Sequence, residues 1–293
     1  MKIGLIDVDG HNYPNLALMK ISAYHKSMGD TVEWWWGFGN YDRVYMSKIF
    51  DDTYTADMPE PLNADEIIKG GTGYGLDNRL PEEIEHMLPD YTLYPELTRD
   101  TAYGFLTRGC PNACPFCIVS CKEGRISNKV SDLSELWIGQ KNIVLMDPNI
   151  LACRDHMGLL NQLAVSGAWV DINQGLDARL LTRENIDVLK RIKLKEIHFA
   201  WDLMKNSKRI RDTAEGLADC DQQNAAWALR KYAVRDIMDA ETVDAVEVVR
   251  CKDCKWVYRD PYSGCYYCHE RQVQSTHFCS YGERKDGDGN GLF

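Results

Sequence analysis

At 293 residues, with 44% hydrophobic and 27% charged residues, the chain has the composition of a globular protein with room for two domains. A net charge of −10 argues against a general nucleic-acid binder, which needs a basic face. No apolar run reaches the roughly 20 residues that span a bilayer, and the opening run to Asp7 is too short for a signal peptide, so a cytoplasmic protein without membrane contact is expected.

The first segment, 1–95, alternates strand and helix signals. Lys2 to Val8 reads as a strand. Asn15 to Met28 carries Leu18, Ile21, Tyr24 and Met28 at helical spacing and stops at Gly29. Thr31 to Trp36, Arg43 to Met46 and Glu66 to Lys69 read as further strands, the last ending in Gly70-Gly71, and the acidic, proline-bearing stretch Asp51 to Asn63 reads as a loop. Strands alternating with helices predict an α/β fold with a parallel sheet.

The rhythm continues over 96–206. Strands are predicted at Tyr103–Thr107, Asn142–Met146, Trp169–Asn173 and Glu196–Trp201, with helices at His156–Ser166 and Arg183–Ile192. In such β-loop-α repeats the chemistry sits on loops after the strand carboxyl ends. The basic stretch Lys190 to Arg211 reads as a solvated face. Beyond it, 207–246 is polar and Ala-rich, which predicts a helical connector, with a strand at Val243–Val249. A Cys-rich module follows at 247–284 and a Gly/Asp-rich disordered tail at 285–293.

Eleven cysteines are many for a cytoplasmic chain, where clustered thiols bind metal or do redox chemistry rather than form disulfides. Cys110, Cys114 and Cys117 fall within eight residues and Cys121 follows, five more crowd into 251–279, and Cys153 and Cys220 stand alone. The spacing C-x3-C-x2-C presents three thiolates to one iron–sulfur cube and leaves one iron open. Softness alone leaves the metal undecided, and Cys121 as a fourth ligand would make a closed zinc or electron-transfer site.

Gly104-Phe105-Leu106-Thr107-Arg108-Gly109-Cys110-Pro111-Asn112-Ala113-Cys114-Pro115-Phe116-Cys117, placed directly after a predicted strand, resembles the radical S-adenosylmethionine (SAM) superfamily over about residues 98–205. The resemblance implies a partial (β/α) barrel and a [4Fe–4S] cluster on Cys110, Cys114 and Cys117. It also implies SAM on the fourth iron, reductive cleavage to a 5′-deoxyadenosyl radical, and an electron donor such as flavodoxin or ferredoxin. By the same resemblance Phe116 lies near the adenine. Met146-Asp147-Pro148-Asn149 stands where many members carry a Gly-Gly-Glu-like segment, so Asp147 is a candidate contact to the SAM amine or the substrate, or a turn cap. Arg179, in Gln174-Gly175-Leu176-Asp177-Ala178-Arg179, is a candidate partner of the SAM carboxylate, and Gln174 a candidate facing the barrel. His198 and Asp202 are weaker candidates, His198 reading first as a packed strand residue. Only four β/α units are visible against the usual six or so, which puts catalytic activity in question.

Asp9-Gly10-His11-Asn12-Tyr13-Pro14, Ser47-Lys48-Ile49 and Gly70-Gly71 follow the first, third and fourth strands and resemble a flavodoxin-like, cobalamin-binding-like domain. Pro14 stands in place of that motif's last glycine, so a cofactor-free relative is expected rather than cobalamin on His11. Trp34-Trp35-Trp36 is expected to cover a strand end. In the tail, Cys251-Lys252-Asp253-Cys254 with Cys265, Cys268, His269 and Cys279 offers a tetrahedral zinc site. The segment resembles a small Cys-rich tail of phage and prophage proteins, which implies zinc on Cys251, Cys254, Cys268 and Cys279, with Cys265 spare. The expected function is a radical SAM enzyme of unassigned substrate. The alternatives are a phage-derived zinc-binding interaction module and a radical methylthio- or methyltransferase.

Overall fold

The structure, a computed structural model, describes residues 1–10, 12–114 and 117–199, together with the strands at 249–250, 257–259, 266–268, 271–273 and 278–279. The chain divides into two units, Met1–Ile237 and Met238–Phe293, a division that falls within the expected connector. The described part is α/β and contains two four-stranded sheets, each wholly parallel.

The first sheet grows around β1 (Lys2–Asp7), whose four inner residues are all buried, as a strand covered on both faces requires. The chain then forms α1 (Leu16–Ser27), β2 (Thr31–Trp34), β3 (Tyr41–Ser47) and β4 (Ala64–Gly70), in the spatial order β2-β1-β3-β4. Asn15 caps α1 by accepting from the Leu18 N–H at 3.2 Å, and Gly29 leaves the helix at φ 82°. Parallel strands usually need a helical crossover of a dozen or more residues, yet residues 35–40 alone join β2 to β3 and a helix-free loop joins β3 to β4. Aromatic loop residues do the covering instead. One face packs Ile3, Leu5 and Tyr45 against Leu18 and Ile21 of α1, while the other packs Ile6, Val44 and Met46 against Trp35 and Tyr74. Of the tryptophan triple, only Trp35 is part of this cover; Trp34 lies edge-on to Tyr94, and Trp36 is exposed.

Two single-turn helices, α2 (Glu82–Glu85) and α3 (Pro95–Thr98), lead to the second sheet. Its strands are β5 (Thr101–Gly104), β8 (Asn142–Leu145), β9 (Trp169–Ile172) and β10 (Lys193–Leu194), and they lie side by side in chain order. Between β5 and β8 the chain makes β6 (Thr107–Arg108), α4 (Val119–Lys122) and β7 (Asn128–Lys129). The helices α5 (His156–Ser166) and α6 (Arg183–Leu189) follow β8 and β9. Leu159, Leu160 and Leu163 of α5 and Val188 and Leu189 of α6 pack on Ala102, Ile143, Leu145, Val170 and Ile172. Each fully buried leucine contributes about 1.5–3 kcal/mol, so this face is the main core. Thr182 and Asn185 close a reciprocal cap at the start of α6. Among the described residues no helix is long and apolar enough to cross a membrane.

Two strand expectations are corrected. The run Tyr103–Thr107 is two elements: β5 ends at Gly104, and β6 pairs antiparallel with β7. The backbone N–H groups of Leu106 and Thr107 turn to the Asp147 carboxylate, which ends the sheet ladder there. Among the described residues the fourth strand is Lys193–Leu194, ahead of the expected 196–201, of which 200–201 lie outside the described residues; Ile192, Leu194 and Ile197 all sit in the core. Past it, up to residue 199, the described residues add an isolated Leu176–Phe199 bridge.

In the C-terminal unit, β11 (Val249–Arg250) pairs antiparallel with β15 (Phe278–Cys279). β12 (Val257–Arg259), β13 (Tyr266–Cys268) and β14 (Arg271–Val273) form an antiparallel meander. The expected helical connector, most of the strand at Val243–Val249, and the tail from Lys285 lie outside the described residues.

Candidate functional site

The carboxyl ends of β5, β8 and β9 converge on the cysteine loop. That loop leaves the sheet through a turn only glycine can make: Gly109 has φ 88°, and a Cβ there would sit 2.1 Å from the Ile126 carbonyl oxygen. The Cys110 N–H donates to the Gly124 carbonyl at 3.1 Å. Glu123 braces the same turn, accepting from Arg108 Nη1 at 2.9 Å and from the Gly109 N–H at 3.3 Å. Arg108 in turn lies over the Phe105 ring, 4.0 Å from its centroid. Ala113, between the first two cysteines, is held at φ 46°, a conformation rare outside glycine.

Asp147 anchors the loop from beneath. Its carboxylate accepts from the Leu106 N–H at 3.1 Å, the Thr107 N–H at 2.5 Å and Thr107 Oγ1 at 2.7 Å, and it is fully buried. Burial pushes its carboxyl up to about 6, against the pull of these donors. The residue singled out for a cofactor or substrate contact therefore faces the chain's own backbone.

Asn149, two residues on, is not marked by any sequence pattern, yet its side chain reaches the first cysteine. Its side chain is buried, with Nδ2 3.7 Å from Cys110 Sγ and 3.2 Å from Asp177 Oδ2. Among the described residues Asn149 Oδ1 has no hydrogen-bond partner. Asn112, inside the cysteine loop, donates to the same Asp177 oxygen at 3.0 Å. Arg179 grips Asp177 with Nε at 2.7 Å and Nη2 at 2.6 Å. Burial would raise the Asp177 carboxyl, but these donors outweigh it and hold it down to about 2. Arg179 stays more firmly protonated, first through Asp177 and further through the nearby Cys114 and Cys110. The expected carboxylate-binding arginine thus has an internal carboxylate on it.

The other candidates are more scattered. Gln174 is exposed and, among the described residues, reaches Asn173 Oδ1 at 3.4 Å. His198 is not a packed strand residue; it is half-exposed, 3.4 Å from Glu196 and 3.9 Å from Asp171. Tyr103, Val144 and Asp171 lie side by side on the sheet face away from α5, and Tyr13 meets Tyr103 edge-on with centroids 5.5 Å apart. Phe116, His11, Asp202, Cys251, Cys254 and Cys265 lie outside the described residues. Cys268 and Cys279 are described as strand positions only, Cys279 standing opposite Val249.

The thiols of Cys110, Cys114 and Cys117 are half-buried and Cys121 is exposed. Among the described residues no three His, Cys, Asp or Glu side chains are gathered closely enough to hold a metal ion. The donor set nonetheless fits a soft metal cluster: three thiols on one loop, the first within reach of an amide donor, beside a buried acceptor left open. No protein-family model matches the chain, and no curated protein is similar to it.

Proposed function

We propose that this chain is a radical SAM protein that binds a [4Fe–4S] cluster through Cys110, Cys114 and Cys117, with SAM as the cofactor. The observation that carries the reading is the position of the C-x3-C-x2-C loop. It follows the first of four parallel strands laid out in chain order, where β/α repeats keep their chemistry. That layout suits a partial barrel, and the first sheet suits a flavodoxin-like companion domain whose helices have been reduced to loops. Metal binding draws ligands together as it occurs, so the cluster itself is assigned the closing of the three thiols.

When bound, the cluster and SAM together supply a one-electron reductive cleavage that yields a radical able to abstract hydrogen. The chain's own residues prepare the place. Gly109 and Glu123 set the turn that launches the cysteines. Asp147 fixes Leu106 and Thr107, ahead of that turn, from below. Asn149 Oδ1, a buried acceptor with no partner of its own among the described residues, is assigned the ammonium of SAM. Arg179 is assigned the SAM carboxylate, which it can reach only by sharing or leaving Asp177. Leu106, Ile150 and Leu151, from the chain just before the loop and just after Asn149, are buried in the core of the second sheet.

The test is anaerobic reconstitution followed by electron paramagnetic resonance (EPR) of the dithionite-reduced protein, with and without SAM. About four irons per chain, a reduced-cluster signal that changes on adding SAM, and release of 5′-deoxyadenosine are expected. A chain that takes up zinc and no iron would overturn the reading in favour of an interaction module.

A further inference from the structure

We propose that Asn149 is a positioning residue for Cys110, donating an N–H···S hydrogen bond that raises the reduction potential of the cluster carried by the cysteine loop. The inference rests on the cluster-binding reading above and adds to it a second role for Asn149, the control of electron uptake, exerted by the NH2 end of the amide rather than by Oδ1.

The geometry defines the amide's orientation. Asp177 is held ionised, and a carboxylate only accepts, so the end of the Asn149 amide 3.2 Å from Asp177 Oδ2 must be the NH2 group. That group has two hydrogens and two acceptors in reach, the Asp177 oxygen at 3.2 Å and Cys110 Sγ at 3.7 Å. The backbone is fixed as well, since the Asn149 carbonyl accepts from Ser127 Oγ at 2.9 Å and from the Ala152 N–H at 3.2 Å. A chain of contacts therefore runs Arg179–Asp177–Asn149–Cys110 and ties the loops after β9, β8 and β5 together.

An N–H dipole aimed at a thiolate stabilises negative charge on the sulfur. Reduction adds one electron, from dithionite in the assay below, and breaks no bond. The reduced cluster carries more negative charge, so it gains more from the N–H than the oxidised one, and the potential rises. Asp177 alone would act oppositely, as a buried negative charge. Arg179 balances that charge while Asn149 turns the pair's polarity into a donor directed at sulfur.

The test is an EPR-monitored redox titration of the reconstituted full chain without SAM, wild type against Asn149→Leu. The variant should keep its iron and show a more negative midpoint. About a tenfold smaller reduced-to-oxidised ratio at the wild-type midpoint is expected, which is about 59 mV for a one-electron couple. A second measurement needs no altered packing: wild-type protein labelled with 15N in its asparagine side chains should show 15N coupling to the reduced cluster by pulsed EPR. Asn112→Ala should keep that coupling. An unshifted midpoint at full iron content, or no side-chain 15N coupling in the wild type, would overturn the inference and leave cluster binding standing. Absence of a cluster from the wild type would overturn both together.

Discussion

The two parallel sheets end in loops of opposite character. The first sheet runs β2-β1-β3-β4, so its order reverses between β1 and β3, where open α/β sheets usually leave a ligand crevice. Here the described polar groups next to the ends of β1 and β3 answer one another, with Thr55 Oγ1, farther along the loop after β3, the buried exception among the described residues. Asp7 accepts from Tyr94 OH at 2.6 Å and from Asn15 Nδ2 at 3.4 Å, and Asn15 also donates to Ser47 Oγ at 2.9 Å. Asp9 accepts from the Ile49 and Phe50 N–H groups. The second sheet, with no reversal, ends in three thiols and a buried acceptor without a partner among the described residues. Sheet topology alone would point to the first site; unmet bonding capacity points to the second.

A pair of glycine substitutions breaks that comparison most sharply. Gly109→Ala forces a Cβ towards Ile126 O at a positive φ, and Gly71→Ala does the same against Lys48 O, at φ 96° and 2.2 Å. The backbone conformation alone costs about 1–2 kcal/mol in each. Gly109→Ala should lose most of its iron, a severalfold drop after reconstitution. Gly71→Ala should lower the unfolding midpoint yet keep the wild-type iron content per folded chain. Equal iron loss in both would mean that the two loop systems are not functionally distinct.

The contrast was only half legible in the sequence. Leu18, Ile21 and Tyr24 announce α1 because one face of one helix must be apolar, and Gly29 marks its end; Met28, the exposed C-cap, shares the spacing but not the packing. The cysteine spacing is equally local. Asn149, Asp177 and Asn112 come from three loops, and no periodicity links them; only the fold brings them to Cys110. A usable signal did exist for Asp147. It shares strand parity with Ile143 and Leu145, the core-facing residues of β8, so the pleat directs it inward. The Lys193–Leu194 strand is not legible in the sequence, because two residues are too few to show alternation.

Asp147 offers a pH test that separates the two ends again. Its folded carboxyl is raised to about 6 from an ordinary value of 3.8. The folded state thus holds the proton more tightly than the unfolded chain, and this contribution to stability is complete below about pH 4. It is lost as pH rises towards 6. Urea midpoints of wild type minus Asp147→Asn should therefore fall between pH 4 and 6 and level off above. The variant is less stable throughout, because its NH2 meets the Leu106 N–H, but the change with pH carries the test. A flat difference across that window would show that Asp147 is not the buried anchor of the cysteine loop.

The smallest effect is expected at the self-satisfied end. Tyr94→Phe removes one hydrogen bond to the Asp7 carboxylate while Asn15 and the Gly10 N–H still reach it. A bond to a charged acceptor is worth about 1.5–3 kcal/mol, and the remaining donors place the loss at the low end of that range. The urea midpoint should fall modestly, with iron content and cluster potential unchanged. A change in the cluster signal would mean that the β1 crevice communicates with the cysteine loop. Tyr13 makes such a link conceivable, since it leaves the β1 loop to meet Tyr103 and to accept from Asn173 Nδ2 at 2.6 Å. Tyr94 instead acts on Asp7, behind the α1 cap, so its loss is felt by the first sheet alone.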